Sequence, residues 1–294
     1  MTKQTSKQTA FTLVELLAVI VVIAVLAAAL LGKYGQIREN GWSTQCKANL
    51  RSLYQAALNY TSDNGGYYPH AGPYETYDAL SRTYSEHKGW VNWTGTGIWP
   101  DGPQTKMTQP TWYEDDTHHA RAAITNGSLW EYTNRDMGTY LCPKFRSLVK
   151  NAKGQTYNVV RSYAMNYYFG CSDGHTSKTS FNAGFDAVNL QALDQEASRT
   201  MMFADMPLTL TCLGNNQAVC TVSALSGGAG GDGVLDAPET TSVPYESIGY
   251  LHPMGGEYRG HVVFLDGHIE AVGLVSLGGN SWSNRTHDAC IGQF

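Results

Sequence analysis

Hydrophobic positions along the chain follow three regimes. Met1 to Ala10 is short and polar and carries Lys3 and Lys7. Leu16 to Leu31 then gives sixteen apolar residues without interruption, and including Phe11 to Glu15 extends the stretch to 21. That length suits a helix crossing the roughly 30 Å hydrocarbon layer of a membrane. Gly32, Gly35 and Gly41 follow, where a helix is expected to loosen or bend. Next comes an amphipathic segment. Cys46, Leu50, Leu53, Ala57 and Tyr60 recur at steps of four, three, four and three, one stripe on a helix. Ser43 or Thr44 is placed to start it, and Asn64-Gly65-Gly66 to stop it before Pro69. The stripe is read as core against the rest of the chain. Beyond residue 64 the pattern breaks into short strands, many turns and long loops, an α+β head.

Composition leaves room for a core. Of the 294 residues, 42% are hydrophobic and 15% charged, which disfavours long disorder. The net charge of −5 has no basic run within it, so no nucleic-acid partner is expected, since such a partner needs a cationic face. Six cysteines stand at 46, 142, 171, 212, 220 and 290. There is no CxxC and no Cys/His zinc spacing, and the even count fits disulfides in an oxidising compartment. Cys212 and Cys220 are near enough to form a local pair, and Cys171 and Cys290 are further disulfide candidates.

The apolar opening admits three readings: a secretory signal cut near "AAALLG", an uncleaved anchor, or a signal cut ahead of the apolar run. Charge does not orient the span, because Lys3 and Lys7 precede it while Lys33, Arg38, Lys47 and Arg51 follow. Thr12 and Glu15 separate the three. A charge at the centre of a span costs about 2.5–3.5 kcal/mol, so it normally has a partner. "FTLVELLAVIVVIAVLAA" closely resembles the N-terminal motif of type IV prepilins and type II secretion pseudopilins. The resemblance implies cleavage between Ala10 and Phe11 by a prepilin peptidase on the cytoplasmic side and N-methylation of Phe11. Where that family usually has glycine before the cut, this chain has Ala10. It also gives Glu15 a role in assembly: in the dry core of a filament the carboxylate meets the new amine of Phe11 on a neighbouring subunit and marks the register. Loss of the leader removes Lys3 and Lys7 and takes the net charge from −5 to −7.

Three further fragments resemble a group of pseudopilin-like proteins: "CKANLRSLYQAALNYTSDNGGYYP" from Cys46, "GSLWEYTNRDMGTYLCP" at 127–143 and "SYAMNYYF" at 162–169. Cys46 and Cys142 both fall within these, and the resemblance implies that they pair. "LHPMGGEYRGHVVFLDGHIEAVG" resembles the terminal His…Asp-Gly-His box of the same group. Here thirteen residues separate His252 from Asp266 and four separate His261 from it, and neither spacing fits the box. Asp266-Gly267 reads as a two-residue hairpin turn. It would place Val262, Phe264, Ile269 and Ala271 on a core face. His261, Val263, Leu265, His268 and Glu270 would then share a half-exposed face.

Catalytic signatures are thin. "YEDDTHH" at 113–119 gathers Asp115, Asp116, His118 and His119 without helical metal-ligand spacing, and is read as a polar loop. "GGAGGDGVLDAPET" at 227–240 supplies Asp232, Asp236 and Glu239, oxygen donors on a flexible loop that suit calcium. Some secretion pseudopilins hold calcium in a loop. "WVNWTGTGIWPDGPQ" at 90–104 reads as a surface loop, its tryptophans filling a loop-covered core. No nucleophile elbow, phosphate loop or dinucleotide fingerprint appears.

The expected organisation is a leader at 1–10, an N-terminal helix at 11–63 (11–31 transmembrane, 42–63 an amphipathic stem) and an exported head at 64–294. The fold expected is pilin-like, with the long helix packed on a head of antiparallel sheet and long loops. The expected role is structural rather than enzymatic: a subunit of a type IV pilus-like or type II secretion-like filament, homopolymeric or mixed with other pilin-like subunits. Prepilin peptidase, an inner-membrane assembly platform and the membrane itself are its expected partners. The alternative is a membrane-anchored exported glycan-binding module or hydrolase.

Overall fold

A computed structural model describes residues 12–72, 74–78, 83–92, 113–114, 120–151, 158–166, 169, 197–206, 210–212, 220–222, 234–235 and 248–273. The chain divides into two compact units, Met1–Gly41 and Trp42–Phe294. Ala10, Phe11, Asp115, Asp116, His118, His119, Cys171, Asp232, Asp236, Glu239, Cys290 and most of the 90–104 loop lie outside the described residues.

One helix, α1 (Leu13–Asp63), runs through what the sequence divides into span, linker and stem. Ser43 and Thr44 therefore start nothing. Gly35 and Gly41 are helical, each with open space where a side chain would stand. Gly32 is helical too, and α1 bends by 51° between Leu13–Ala28 and Lys33–Asp63, at a break that includes Gly32, where the sequence leads one to expect a bend. The C-terminus of α1 is where the sequence puts it. Gly65 and Gly66 adopt φ of 66° and 87°, and the Gly66 N–H reaches back to Thr61 O at 2.9 Å. This six-to-one bond over a left-handed glycine satisfies carbonyls that the helix end would leave open.

Within Trp42–Phe294, β1 (Tyr74–Asp78) and β2 (Thr83–His87) form a hairpin. A short strand, β3 (Tyr113–Glu114), precedes α2 (Ala120–Asn126) and α3 (Pro143–Asn151), and pairs with β4 (Asn158–Val159). β5 (Tyr163–Asn166) and β6 (Met201–Asp205) enter the main sheet. β7 (Leu210–Cys212) and β8 (Cys220–Val222) make a separate hairpin that sets Cys212 opposite Cys220. β9 (Val234–Leu235), β10 (His252–Met254), β11 (Glu257–Phe264) and β12 (Ile269–Gly273) follow.

The six-stranded main sheet runs β10-β11-β6-β5-β9, with β12 also on β11. It is antiparallel except for the edge pair β5–β9. β11 is its spine: β12 takes one edge, while β10 and β6 share the other in succession.

Both faces of this sheet are covered. On one, the α1 stripe of Cys46, Leu50, Leu53 and Ala57 is fully buried against Tyr163, Met165, Phe203, Val263 and Leu265. On the other, Ala164, Met201, Ala204, Val262, Phe264 and Val272 pack with Ile248. The half-exposed face expected for β11 is thus absent: Gly260 to Leu265 are all buried. The turn differs too. Val263 pairs with Ile269, and the Phe264 N–H bonds His268 O at 3.0 Å, so Leu265, Asp266 and Gly267 form a three-residue loop. Gly267 at φ 88° supplies the left-handed position such a loop needs. One extra loop residue exchanges the partners, so Ile269 joins Val263 and Leu265 in the main core. In the 90–104 segment Trp90 fills the core as expected: it is fully buried, stacked on Tyr140 at 5.9 Å and edge-on to Phe203 at 5.2 Å.

Candidate functional site

Two places combine chemistry with a defined geometry. The first opens α1. The Thr12 N–H and Thr12 Oγ1 both donate to Glu15 Oε2 at 2.9 Å, and the Glu15 N–H donates to Thr12 Oγ1 at 3.2 Å. This reciprocal pattern is a capping box: the threonine hydroxyl and the glutamate carboxylate each take an N–H that the first helical turn leaves open. Glu15 therefore has a partner inside its own chain. The carboxylate also sits at the positive end of the helix dipole. From Leu13 to Leu31 the large apolar side chains stand 50% to 81% exposed. Among the described residues no single helix is long and apolar enough to cross a membrane; Leu13–Ala28 and Lys33–Asp63 qualify only together, as a bent pair.

The second place is a buried polar cluster in the head. Asp205 closes β6, His252 opens β10 and His261 sits in β11; all three are at most 1% exposed. Asp205 Oδ2 accepts the His261 backbone N–H at 2.8 Å. His261 Nδ1 comes to 3.2 Å from the same oxygen, an ion-pair distance without hydrogen-bond alignment, and His252 Nε2 to 3.6 Å. The two imidazoles lie 4.3 Å apart. His261 Nε2 meets Ser43 Oγ on α1 at 3.0 Å.

Cys46 from α1 and Cys142 ahead of α3 are joined by a disulfide, the pairing implied by the resemblance. Cys142 is held on several sides. Its N–H donates to Ser162 Oγ at 2.6 Å, and Asn49 Nδ2 donates to Gly138 O and Leu141 O, each at 3.0 Å. His252 Nε2 lies 3.5 Å from Cys142 Sγ. The two sulfurs, a carboxylate oxygen of Asp205 and a ring nitrogen of His252 all lie within 4.8 Å of one another.

A carboxylate taken out of water costs several kcal/mol unless its oxygens find donors. Here Oδ2 has one, the His261 N–H, whereas among the described residues Asp205 Oδ1 and His252 Nδ1 have no hydrogen-bond partner. Burial is the largest influence on His252 and pushes its pKa down to about 4; Asp205 pulls the other way, and His261, Lys144 and Lys47 add to the lowering. At neutral pH His252 is therefore uncharged. Burial, with Asp205 second, also holds the Tyr163 hydroxyl well above its ordinary range.

The histidines of the C-terminal motif thus part company. His252 and His261 converge on Asp205. His268 stays at the surface, its Nδ1 2.6 Å from Asp266 Oδ1 and its ring stacked on Phe264 at 4.3 Å. Asp205 itself is missed by motif reading. Its signal is a lone acid inside the apolar run "MMFADM", the same anomaly that marks Glu15.

Comparison with protein families matches residues 5–31 to the prokaryotic N-terminal methylation motif. The match takes in Ala10, Phe11, Thr12 and Glu15, and in this N-terminal segment the chain is similar to type IV pilins and pseudopilins. The His…Asp-Gly box is not part of the match. No curated protein and no solved structure matches the chain.

Proposed function

We propose that the chain is cut between Ala10 and Phe11 by a prepilin peptidase, N-methylated on Phe11 and polymerised through α1 into a pilus-like or secretion-type filament. An inner-membrane platform draws subunits from the bilayer, and the protein does no chemistry of its own. The observation that carries this reading is the methylation motif over 5–31, with Thr12 and Glu15 at its helix start. In the free subunit the capping box occupies the Glu15 carboxylate. On assembly the Phe11 amine of a neighbour takes its place against Glu15, so the acid keeps a partner in both states. Calcium on Asp232, Asp236 and Glu239 belongs to the same proposal. A chelator that leaves the thermal midpoint of the head unmoved would remove calcium from it.

Mass spectrometry of protein from a host with a working prepilin peptidase tests the processing. The expected mature chain starts at methylated Phe11; a retained Met1, or a start near Gly32, overturns the reading. Glu15→Ala is expected to insert in the membrane normally and to be lost from filaments. Normal filament incorporation would sink the role given to Glu15.

A further inference from the structure

We propose that in its thiol form the Cys46–Cys142 clasp is a metal site, holding one divalent cation of tetrahedral preference, zinc by the chemistry of its donors, between the two sulfurs, His252 Nε2 and Asp205 Oδ2. This stands apart from the filament reading, since it concerns only the head.

The spacing carries it. A tetrahedral zinc with bonds of about 2.0–2.3 Å sets its ligand atoms about 3.3–3.8 Å apart. Two edges of that tetrahedron are already in place: His252 Nε2 to Cys142 Sγ at 3.5 Å and His252 Nε2 to Asp205 Oδ2 at 3.6 Å. All four donors fall within 4.8 Å and all four residues are buried. The donor set of two thiolates, one imidazole and one carboxylate is of the soft-to-borderline kind that zinc favours.

The surroundings fit as well. Metal-bound groups are normally oriented by an outer shell. Here Asp205 Oδ2 is fixed by the His261 N–H, and the His261 ring is fixed in turn by Ser43. Without a cation, the buried carboxylate of Asp205 keeps Oδ1 without a hydrogen-bond partner among the described residues. A divalent charge would compensate it.

No reductant is required, because the chain is synthesised with thiols. Binding displaces one proton from each thiol to solvent and leaves two thiolates on the metal. Forming the disulfide instead removes two electrons and two protons to a disulfide-donating oxidant, and it dismantles the site. The clasp that ties α1 to the segment before α3 thus has two mutually exclusive forms, one closed by metal and one by sulfur.

The test is a cobalt titration of the full-length chain in detergent. The protein is reduced with a phosphine and kept free of oxygen. About one equivalent of Co²⁺ is expected to give the intense visible bands of tetrahedral cobalt with thiolate-to-cobalt charge transfer, and zinc is expected to bleach them. The oxidised chain should show neither. Replacing Cys171, Cys212, Cys220 and Cys290 by serine should leave the spectrum intact. Cys46→Ser with Cys142→Ser should abolish it. His252→Gln and Asp205→Asn should each weaken cobalt binding at least about tenfold. Only the weak spectrum of six-coordinate cobalt in the reduced chain would overturn the proposal. Bands that survive loss of Cys46 and Cys142, or binding indifferent to both His252→Gln and Asp205→Asn, would overturn it too.

Discussion

At the scale of the residue, His252 ties stability to pH. Its folded pKa is about 4 and its ordinary value 6.5. Above pH 6.5 both states carry it neutral and it favours neither. Between 6.5 and 4 the unfolded chain takes up a proton that the folded chain refuses, so stability falls as pH drops through this window and levels off below it. A shift of this size corresponds to about 3 kcal/mol at most. Urea midpoints of the oxidised protein at pH 7 and 4.5, for wild type and His252→Gln, isolate the effect. The wild type is expected to lose about 2–3 kcal/mol more than the variant on acidification. Equal losses would mean that His252 is protonated in the fold.

At the scale of the element, the β11–β12 hairpin shows how a one-residue difference redistributes a face. Gly267 combines φ of 88° with a Cβ position only 2.6 Å from Tyr54 Cε1, and the Tyr54 hydroxyl donates to Leu265 O at 3.1 Å. Gly267→Ala therefore meets both backbone strain and a ring on α1, and is expected to cost about 2–3 kcal/mol. Gly256→Ala, with φ of 91° but open space around it, meets the strain alone and should cost about 1 kcal/mol. Equal costs, read by denaturant midpoints, would show that Tyr54 yields to the added methyl.

The same hairpin marks where sequence reading stops. The period of the α1 stripe, its glycine stop and the short strands were legible because each is a local pattern. The face assignment of β11 was not. It depends on a loop of three residues rather than two, and on a second core supplied by distant segments around Met201 and Ile248. The capping box of Thr12 and Glu15 was written in the sequence as T-x-x-E, four adjoining residues. The cluster around Asp205 joins α1, β6, β10, β11 and the Cys142 segment, and no local spacing reports such a meeting.

At the scale of the whole molecule, the two units have opposite surfaces. Met1–Gly41 contains Leu13 to Leu31 with its apolar side chains outward. In water such a surface aggregates or seeks lipid or other copies. Trp42–Phe294 contains the buried α1 stripe, both hydrophobic clusters, the disulfide and the Asp205 cluster. The hydrogen bonds that tie α1 to this list, Ser43 with His261 and Tyr54 with Leu265, come from residues after Gly41. A chain beginning at Trp42 is therefore expected to be soluble and monomeric without detergent. Its disulfide should form, and its thermal midpoint should fall within about 4 °C of the full-length protein in micelles, a difference of roughly 1–2 kcal/mol or less. A chain beginning at Ser62 lacks the stripe and Cys46, and should not fold, since losing several buried apolar side chains of about 1.5–3 kcal/mol each exceeds the usual margin of stability. If the chain from Trp42 aggregates while the full-length protein is well folded, the head does not hold its own core, and the division of labour between an assembling helix and an autonomous head is wrong.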